Sequence, residues 1–190
     1  MAALIDEADS VLVVIDTQPG FLRKLEPEHA TALEERIGWL VRLALALGVP
    51  IVVTGEEPDR NGGIVSSIDA LIPAEVSRHA KPAFGLAACP PIVADLERSG
   101  RGTAVLCGLE TDVCLAQSAL GLDDRGMRVV VVEDATGSPG TAHDQGLVRM
   151  RDAGVELIGV KGLAYEWLRT LERADQLHDL LSDPPAGITM

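Results

Sequence analysis

Cys114 ends the run Val105-Leu106-Cys107-Gly108-Leu109-Glu110-Thr111-Asp112-Val113-Cys114, which reads as a buried strand, a sharp turn at Gly108 and the first turn of a helix. Thr111 or Asp112 can cap that helix, and Leu115, Ala116, Ala119 and Leu120 supply an apolar face at helical spacing. A thiol in that position meets the positive end of the helix dipole and several unpaired backbone N–H groups. Those groups are expected to lower its pKa and to hold an oxyanion formed nearby. The competing reading is a small buried apolar residue, because free cysteine is among the most buried types. Asp16 closes the apolar run Ser10–Ile15 and offers a carboxylate that can shuttle a proton; Asp16-Thr17-Gln18-Pro19-Gly20 also has the composition of an ordinary turn. A thiolate and a carboxylate repel each other, so a cation is needed between them. Arg78 and Lys81 follow a possible third strand, and Lys81, anchored by Pro82 and Phe84, is the better placed of the two.

Strands and helices alternate along the chain that must position these groups. Ser10–Ile15 and Ile51–Thr54 are apolar runs suited to parallel strands buried on both faces. Between them Leu33, Ile37, Leu40, Ala44 and Leu47 recur every three or four residues, and Gly48 and Pro50 close the helix over Glu28–Leu47. Residues 55–103 are a Gly-, Asn- and Pro-rich stretch. A short helix is expected near 66–72, a strand near 77–80 and a helix over Pro91–Arg98. Strands follow at Ala104–Gly108, Arg128–Glu133 and Val155–Val160, with helices over 112–124, 140–153 and 162–175 and an irregular tail from Ser182. The pattern predicts an α/β fold: a doubly wound, six-stranded parallel sheet of order 3-2-1-4-5-6, covered by helices on both faces. Its winding reverses between the first and fourth strands, and ligands bind there, outside the carboxyl ends. Asp16 and Cys114 fall on the two sides of that crevice.

The 190 residues suit one domain spanning 1–190. An apolar share of 47% with a formal charge of -13 describes a soluble globular chain, and the acidic balance argues against a nucleic-acid partner. No membrane segment is apparent. Three cysteines, Cys89, Cys107 and Cys114, have no disulfide-framework spacing, which points to free thiols in a reducing compartment. Asp6, Glu7 and Asp9 stand where a signal peptide would be basic, so the cytoplasm is the expected location.

From about Val11 to Leu171 the chain resembles the isochorismatase-like cysteine hydrolases. Asp16-Thr17-Gln18-Pro19-Gly20-Phe21 is similar to their Asp-x-Gln-x-x-Phe opening, Lys81-Pro82-Ala83-Phe84 to their lysine motif, and Gly108 to Cys114 to their Gly-x-x-Thr-x-x-Cys motif. Arg125-Gly126 with Val129–Ala135 resembles the segment that follows. The resemblance implies a catalytic triad of Asp16, Lys81 and Cys114. It also implies a cis peptide between Leu109 and Glu110, and an oxyanion hole built from the backbone N–H groups of Glu110 and Cys114. Within the family, nicotinamidases carry an Asp-x-His metal site after the second strand. Here that region reads Thr54-Gly55-Glu56-Glu57-Pro58-Asp59-Arg60-Asn61, and His29, His79, His143 and His178 do not cluster there, so no metal is expected. Isochorismatases proper cleave a vinyl ether and in fused examples need no cysteine, whereas Cys114 favours covalent acyl chemistry. The sequence looks most like a branch of small oligomeric hydrolases whose substrates are largely unassigned.

The implied reaction is acyl transfer from a small-molecule substrate, at an amide-type C–N bond, through a thioester and without a cofactor. Gln18, Phe21, Glu56, Asn61 and Phe84 are candidates for the substrate pocket, although Glu56 and Asn61 also suit a solvated turn. The alternative from another class is a non-hydrolytic thiol protein, either a binding scaffold or a peroxide sensor, with Cys107 as the candidate resolving cysteine in the same segment. A homo-oligomer is expected, because Trp39, Val41, Leu43 and Leu45 extend apolar character around the long helix, and Leu163, Tyr165, Trp167 and Leu168 do the same near the end.

Overall fold

The computed structural model describes residues 3–190. Six strands form one parallel sheet: β1 (Ser10–Ile15), β2 (Ile51–Glu56), β3 (Arg78–Lys81), β4 (Thr103–Leu109), β5 (Arg128–Gly137) and β6 (Glu156–Ile158), in the order β3-β2-β1-β4-β5-β6. This is the doubly wound order that the alternating pattern predicts. Ten α-helical segments join and flank the strands: α1 (Pro19–Leu22), α2 (Pro27–Leu47), α3 (Pro58–Asn61), α4 (Ser66–Asp69), α5 (Pro90–Arg98), α6 (Ala116–Asp123), α7 (Ala142–Asp152), α8 (Val160–Leu168), α9 (Leu171–Gln176) and α10 (His178–Leu181).

The apolar runs of the central strands follow from burial on both faces. In β1, Leu12 and Val14 join the core beneath α2 and α8, while Val11, Val13 and Ile15 join the core beneath α5, α6 and α7. Removing each such side chain from water contributes about 1.5–3 kcal/mol, which favours residues that are apolar on both sides of the pleat. α2 begins with Pro27 at its first turn and ends at Gly48, whose φ of 69° is the left-handed conformation that lets the N–H of Val49 reach the carbonyl of Ala44 at 2.8 Å.

The structure departs from the sequence reading at several points: β2 continues to Glu56, and β6 is only Glu156–Ile158, with Val160 already opening α8. β5 runs on through Asp134, Ala135 and Thr136 to Gly137, with a register shift opposite Leu106/Gly108. The helix expected over 162–175 is two helices, α8 and α9, separated at Arg169, where φ is 65°. Most of the apolar surplus on α2 and α8 is not an open face; only Leu45 and Tyr165 of the residues named for it are exposed. Trp39, Val41 and Leu43 are fully buried, and the Trp39 indole donates to the Leu180 carbonyl at 3.2 Å. Leu177, Leu180, Leu181 and Met190 pack on the same core. Leu163, Trp167 and Leu168 are likewise buried, with the Trp167 indole donating to Ser10 Oγ at 3.2 Å. The chain covers these six residues itself, so they carry no argument for an intersubunit contact.

Candidate active site

The carboxyl ends of four neighbouring strands deliver the reactive groups to one point. Parallel register sets Ile15 beside both Thr54 and Gly108, and Glu56 beside Lys81. Asp16 therefore leaves β1 at the switch point, Glu56 and Lys81 end β2 and β3, and Cys114 follows the turn out of β4. Asp16 has a φ of 47°, an uncommon conformation for a residue other than glycine, and it is held there by its N–H donating to the Thr54 carbonyl at 2.9 Å. Gly108 has a φ of 118°, and a Cβ there would lie 1.9 Å from the Ile15 carbonyl oxygen. Only glycine lets β4 pass β1 so closely.

Asp16, Lys81 and Cys114 are buried together. Lys81 Nζ stands 2.8 Å from Asp16 Oδ2 and donates to the carbonyls of Ala83 at 2.9 Å and Phe84 at 3.0 Å. Thr54 Oγ1 donates to Asp16 Oδ1 at 3.0 Å, whereas Oδ2 has no aligned hydrogen-bond donor among the described residues and is held as an ion pair. The Cys114 thiol donates to Glu56 Oε2 at 3.0 Å, and the same oxygen lies 3.5 Å from Lys81 Nζ. Atoms of Asp16, Glu56 and Cys114 lie within 4.8 Å of one another, in an arrangement that could ligate a metal ion. The Lys81 ammonium already supplies positive charge beside both carboxylates.

The loop carrying Cys114 is tied down on both sides. Residues Thr111–Leu115 form a π-helical turn in which the Leu115 N–H donates to the Glu110 carbonyl at 3.0 Å, and the Leu109–Glu110 peptide is cis. Thr136 Oγ1 donates to the Gly108 carbonyl at 2.7 Å and lies 3.0 Å from Thr111 Oγ1, which in turn lies 2.9 Å from His143 Nδ1. A carbonyl only accepts, so the single Thr136 proton goes to Gly108 and the Thr111 proton to Thr136. His143 then donates from Nδ1. Burial holds the His143 pKa below its usual value, in keeping with that neutral tautomer. Ser138 Oγ donates to Asp112 Oδ1 at 2.6 Å, and Gly146 of α7 packs so closely that a Cβ would meet Asp112 Cα at 2.8 Å.

The electrostatics reverse one expectation. Burial pushes the Cys114 thiol well above its usual range, and the charge of Asp16 and the hydrogen bond to Glu56 add to the rise, with Lys81 opposing it. Burial outweighs the Lys81 charge, and the resting thiol is protonated. Burial raises the Asp16 carboxyl above its ordinary 3.8 despite Lys81, Thr54 and Cys114. Burial also disfavours the Lys81 ammonium, but Asp16, Cys114 and Glu56 outweigh it and the net shift is upward.

The residues proposed from sequence as pocket walls divide by role. Gln18 is fully buried and grips the end of β2: its amide accepts from the Glu56 N–H at 2.7 Å and donates to the Glu56 carbonyl at 3.0 Å. Asn61 donates to that carbonyl at 2.9 Å. Both position Glu56. Phe21 is buried, with Lys24 Nζ 4.6 Å from its ring centre, and Lys24 pairs with the Glu110 side chain at 3.0 Å. Phe84 projects its ring into solvent and serves the site through its carbonyl. Cys107 packs on the opposite sheet face from Cys114, its thiol 3.7 Å from the Val13 carbonyl, and burial pushes its pKa up to about 12. It is no resolving partner. Sequence reasoning missed Thr54, Thr136 and His143, took Thr111 for a helix cap where the structure shows no capping bond from its side chain, and saw Glu56 only as a possible wall. The sequence reading ended the second strand at Thr54, two residues short, and so missed Glu56 as the last residue of β2.

A cavity of about 780 Å³ lies between α2, the end of β5 and the start of α7, bordered by Lys24, His29, Thr136 and His143. It does not include Asp16, Lys81 or Cys114.

Comparison with known proteins identifies the family and the fold. The isochorismatase domain matches residues 10–161. The secreted isochorismatase effector Isc1 of Phytophthora sojae is 32% identical over 167 residues, covering 83% of this chain and 76% of that protein. Bovine isochorismatase domain-containing protein 2 is 28% identical over 179 residues, covering 92% and 84%. Among solved structures, the YcaC gene product of Escherichia coli, described as an octameric hydrolase of unknown specificity, superposes with a TM-score of 0.88 at 25% identity, covering 96% of this chain and 91% of that one. The chain belongs to the isochorismatase family and has its hydrolase fold.

Proposed function

We propose that this protein is a cysteine-dependent hydrolase of a small molecule, cleaving an amide-type C–N bond through a thioester on Cys114. The observation that carries the reading is the buried Asp16–Lys81 ion pair at 2.8 Å with the Cys114 thiol within 4.8 Å of the carboxylate. Asp16 takes the thiol proton as sulfur attacks the acyl carbon, so the thiolate appears only in the reacting step and Lys81 balances its charge. The backbone N–H groups of Glu110 and Cys114 are assigned to the oxyanion. Collapse of the tetrahedral intermediate breaks the C–N bond, and the amine leaves with the proton held by Asp16. Water then gives a proton to Asp16 and attacks the thioester; sulfur departs and recovers a proton, and the acid is released. A base whose pKa is raised and a thiol that stays protonated at rest suit this order, because an ion pair of thiolate and ammonium is not needed before substrate arrives.

Homo-oligomeric assembly belongs to the same proposal, supported by the octameric E. coli relative. None of the described helices is long and apolar enough to cross a membrane.

The test is hydrolysis of small amides, carbamoyl compounds and hydroxamates by the wild type, Cys114→Ala and Cys114→Ser, with mass spectrometry of the quenched enzyme. Wild type is expected to turn over at least one class and to carry its acyl group on Cys114. Retention of more than a few per cent of activity in Cys114→Ala refutes the nucleophile.

A further inference from the structure

Four side chains make the reactive cluster, and solvent reaches them unequally. The Asp16 and Lys81 side chains are 0% exposed and Cys114 is 1% exposed, whereas the Glu56 side chain is 15% exposed. Glu56 is the lid of the cluster, and its carboxylate sits on the thiol and beside the ammonium at 3.0 and 3.5 Å. Its backbone is pinned by Gln18 and Asn61, followed by Glu57 at a φ of 39° and by Pro58, which opens α3. The backbone at Glu56 is thus fixed by three hydrogen bonds, and its carboxylate is the most exposed side chain of the cluster. Two carboxylates face one ammonium, so with a neutral thiol the cluster carries one net negative charge.

We propose that Glu56 determines specificity: it admits acyl compounds that are neutral or cationic and carry an N–H donor for its carboxylate, such as primary amides, and it turns away substrates bearing a carboxylate next to the scissile bond. An incoming N–H group replaces the thiol as the donor to Glu56, which frees the S–H proton for Asp16. An incoming anion meets like charge at a distance where screening by water is incomplete. This rests on the hydrolase reading for its substrate class, but the selection by charge is a property of the thiol's cover and is measurable without a substrate.

The experiment follows alkylation of Cys114, resolved by peptide mass spectrometry, with iodoacetamide, iodoacetate and 2-bromoethylammonium. Each rate is divided by that of the same reagent with free N-acetylcysteine amide. In the wild type the normalised rates are expected to fall in the order cationic, neutral, anionic, with neutral over anionic on the order of tenfold. Glu56→Gln is expected to bring the three together, and Glu56→Asp, which keeps the charge on a shorter arm, to retain the order while reacting faster. Equal selectivity in wild type and Glu56→Gln overturns the proposal. So does an absence of labelling in both, since something else then covers the thiol. If charge selection vanishes with Glu56→Gln while Cys114→Ala still hydrolyses a verified substrate, the gate stands and the hydrolase reading falls. The reverse pair of results removes Glu56 alone.

Discussion

Replacing Lys81 with methionine should destabilise the fold by an amount that depends on pH in a calculable way. Both partners of the Asp16–Lys81 pair are fully buried, so the substitution strands a carboxylate in the core. Breaking such a pair typically costs about 3–5 kcal/mol. Asp16 has an escape, which is to take up a proton. From an unfolded value of 3.8, that uptake costs about 4.4 kcal/mol at pH 7, about 3.0 at pH 6 and about 1.6 at pH 5. This sets a ceiling on the electrostatic loss, to which the abandoned Ala83 and Phe84 carbonyls add about 1 kcal/mol each. In the variant the folded Asp16 pKa lies far above the unfolded one, so the folded state binds the extra proton. Stability then falls as pH rises, by about 1.4 kcal/mol per unit between pH 5 and the folded pKa. Urea denaturation of wild type and Lys81→Met at pH 5, 6, 7 and 8 measures this. A loss of about 3–5 kcal/mol at neutral pH corresponds to roughly 6–20 °C in melting temperature for a chain of this size. Adding Asp16→Asn should recover most of the electrostatic part. A deficit below about 1 kcal/mol at pH 7, or one that does not change with pH, refutes the claim that the pair is charged and buried.

Three further outcomes are expected. Because Asp16 must be ionised to accept a proton and its carboxyl is raised by burial, the acid limb of kcat/KM should have its midpoint above 3.8; a midpoint at or below that value excludes Asp16 as the base. Gly108→Ala should lose at least about 4 kcal/mol or fail to fold, since its Cβ would overlap the Ile15 carbonyl; a soluble variant with a wild-type urea midpoint contradicts the close passage of β4 over β1. Light scattering should find an oligomer at micromolar concentration, and a fully active monomer of 20.0 kDa would remove assembly from the proposal.

The parts legible from sequence are those set by short-range rules. Val11 to Ile15 are apolar without alternation because both sheet faces are covered, and Gly48 with Pro50 marks the end of α2. Asp16 and Cys114 could be placed at one crevice because strand order and the strand-end rule are topological. What could not be read depends on contacts distant in sequence. The hydrogen-bond chain Gly108–Thr136–Thr111–His143 links residues 25 to 32 apart, and nothing local marks Thr136 or His143 as partners of the motif residues Gly108 and Thr111. Trp39 resembled an interface residue because the chain's own last turns pack on it, from more than 130 positions away. The sign of the Cys114 shift was misread because dipole and N–H groups are visible in a motif, whereas depth of burial is not.

The seam between β1 and β4 also divides the molecule chemically. Residues before the exposed turn at Gly100–Gly102 supply Asp16, Glu56 and Lys81; residues after it supply Cys114 and the loop that holds it. A cut at that turn would yield one fragment with Asp16, Glu56 and Lys81 and another with Cys114, and on the proposed mechanism neither reacts alone. Exposed turns of this kind tolerate such breaks best. Reassociation would have to rebuild the register from Ser10–Thr103 to Ile15–Gly108, where Gly108 leaves no room for error against Ile15. Hydrolysis by a mixture of the two fragments would therefore serve as a split reporter, silent until the halves zip together in the native register.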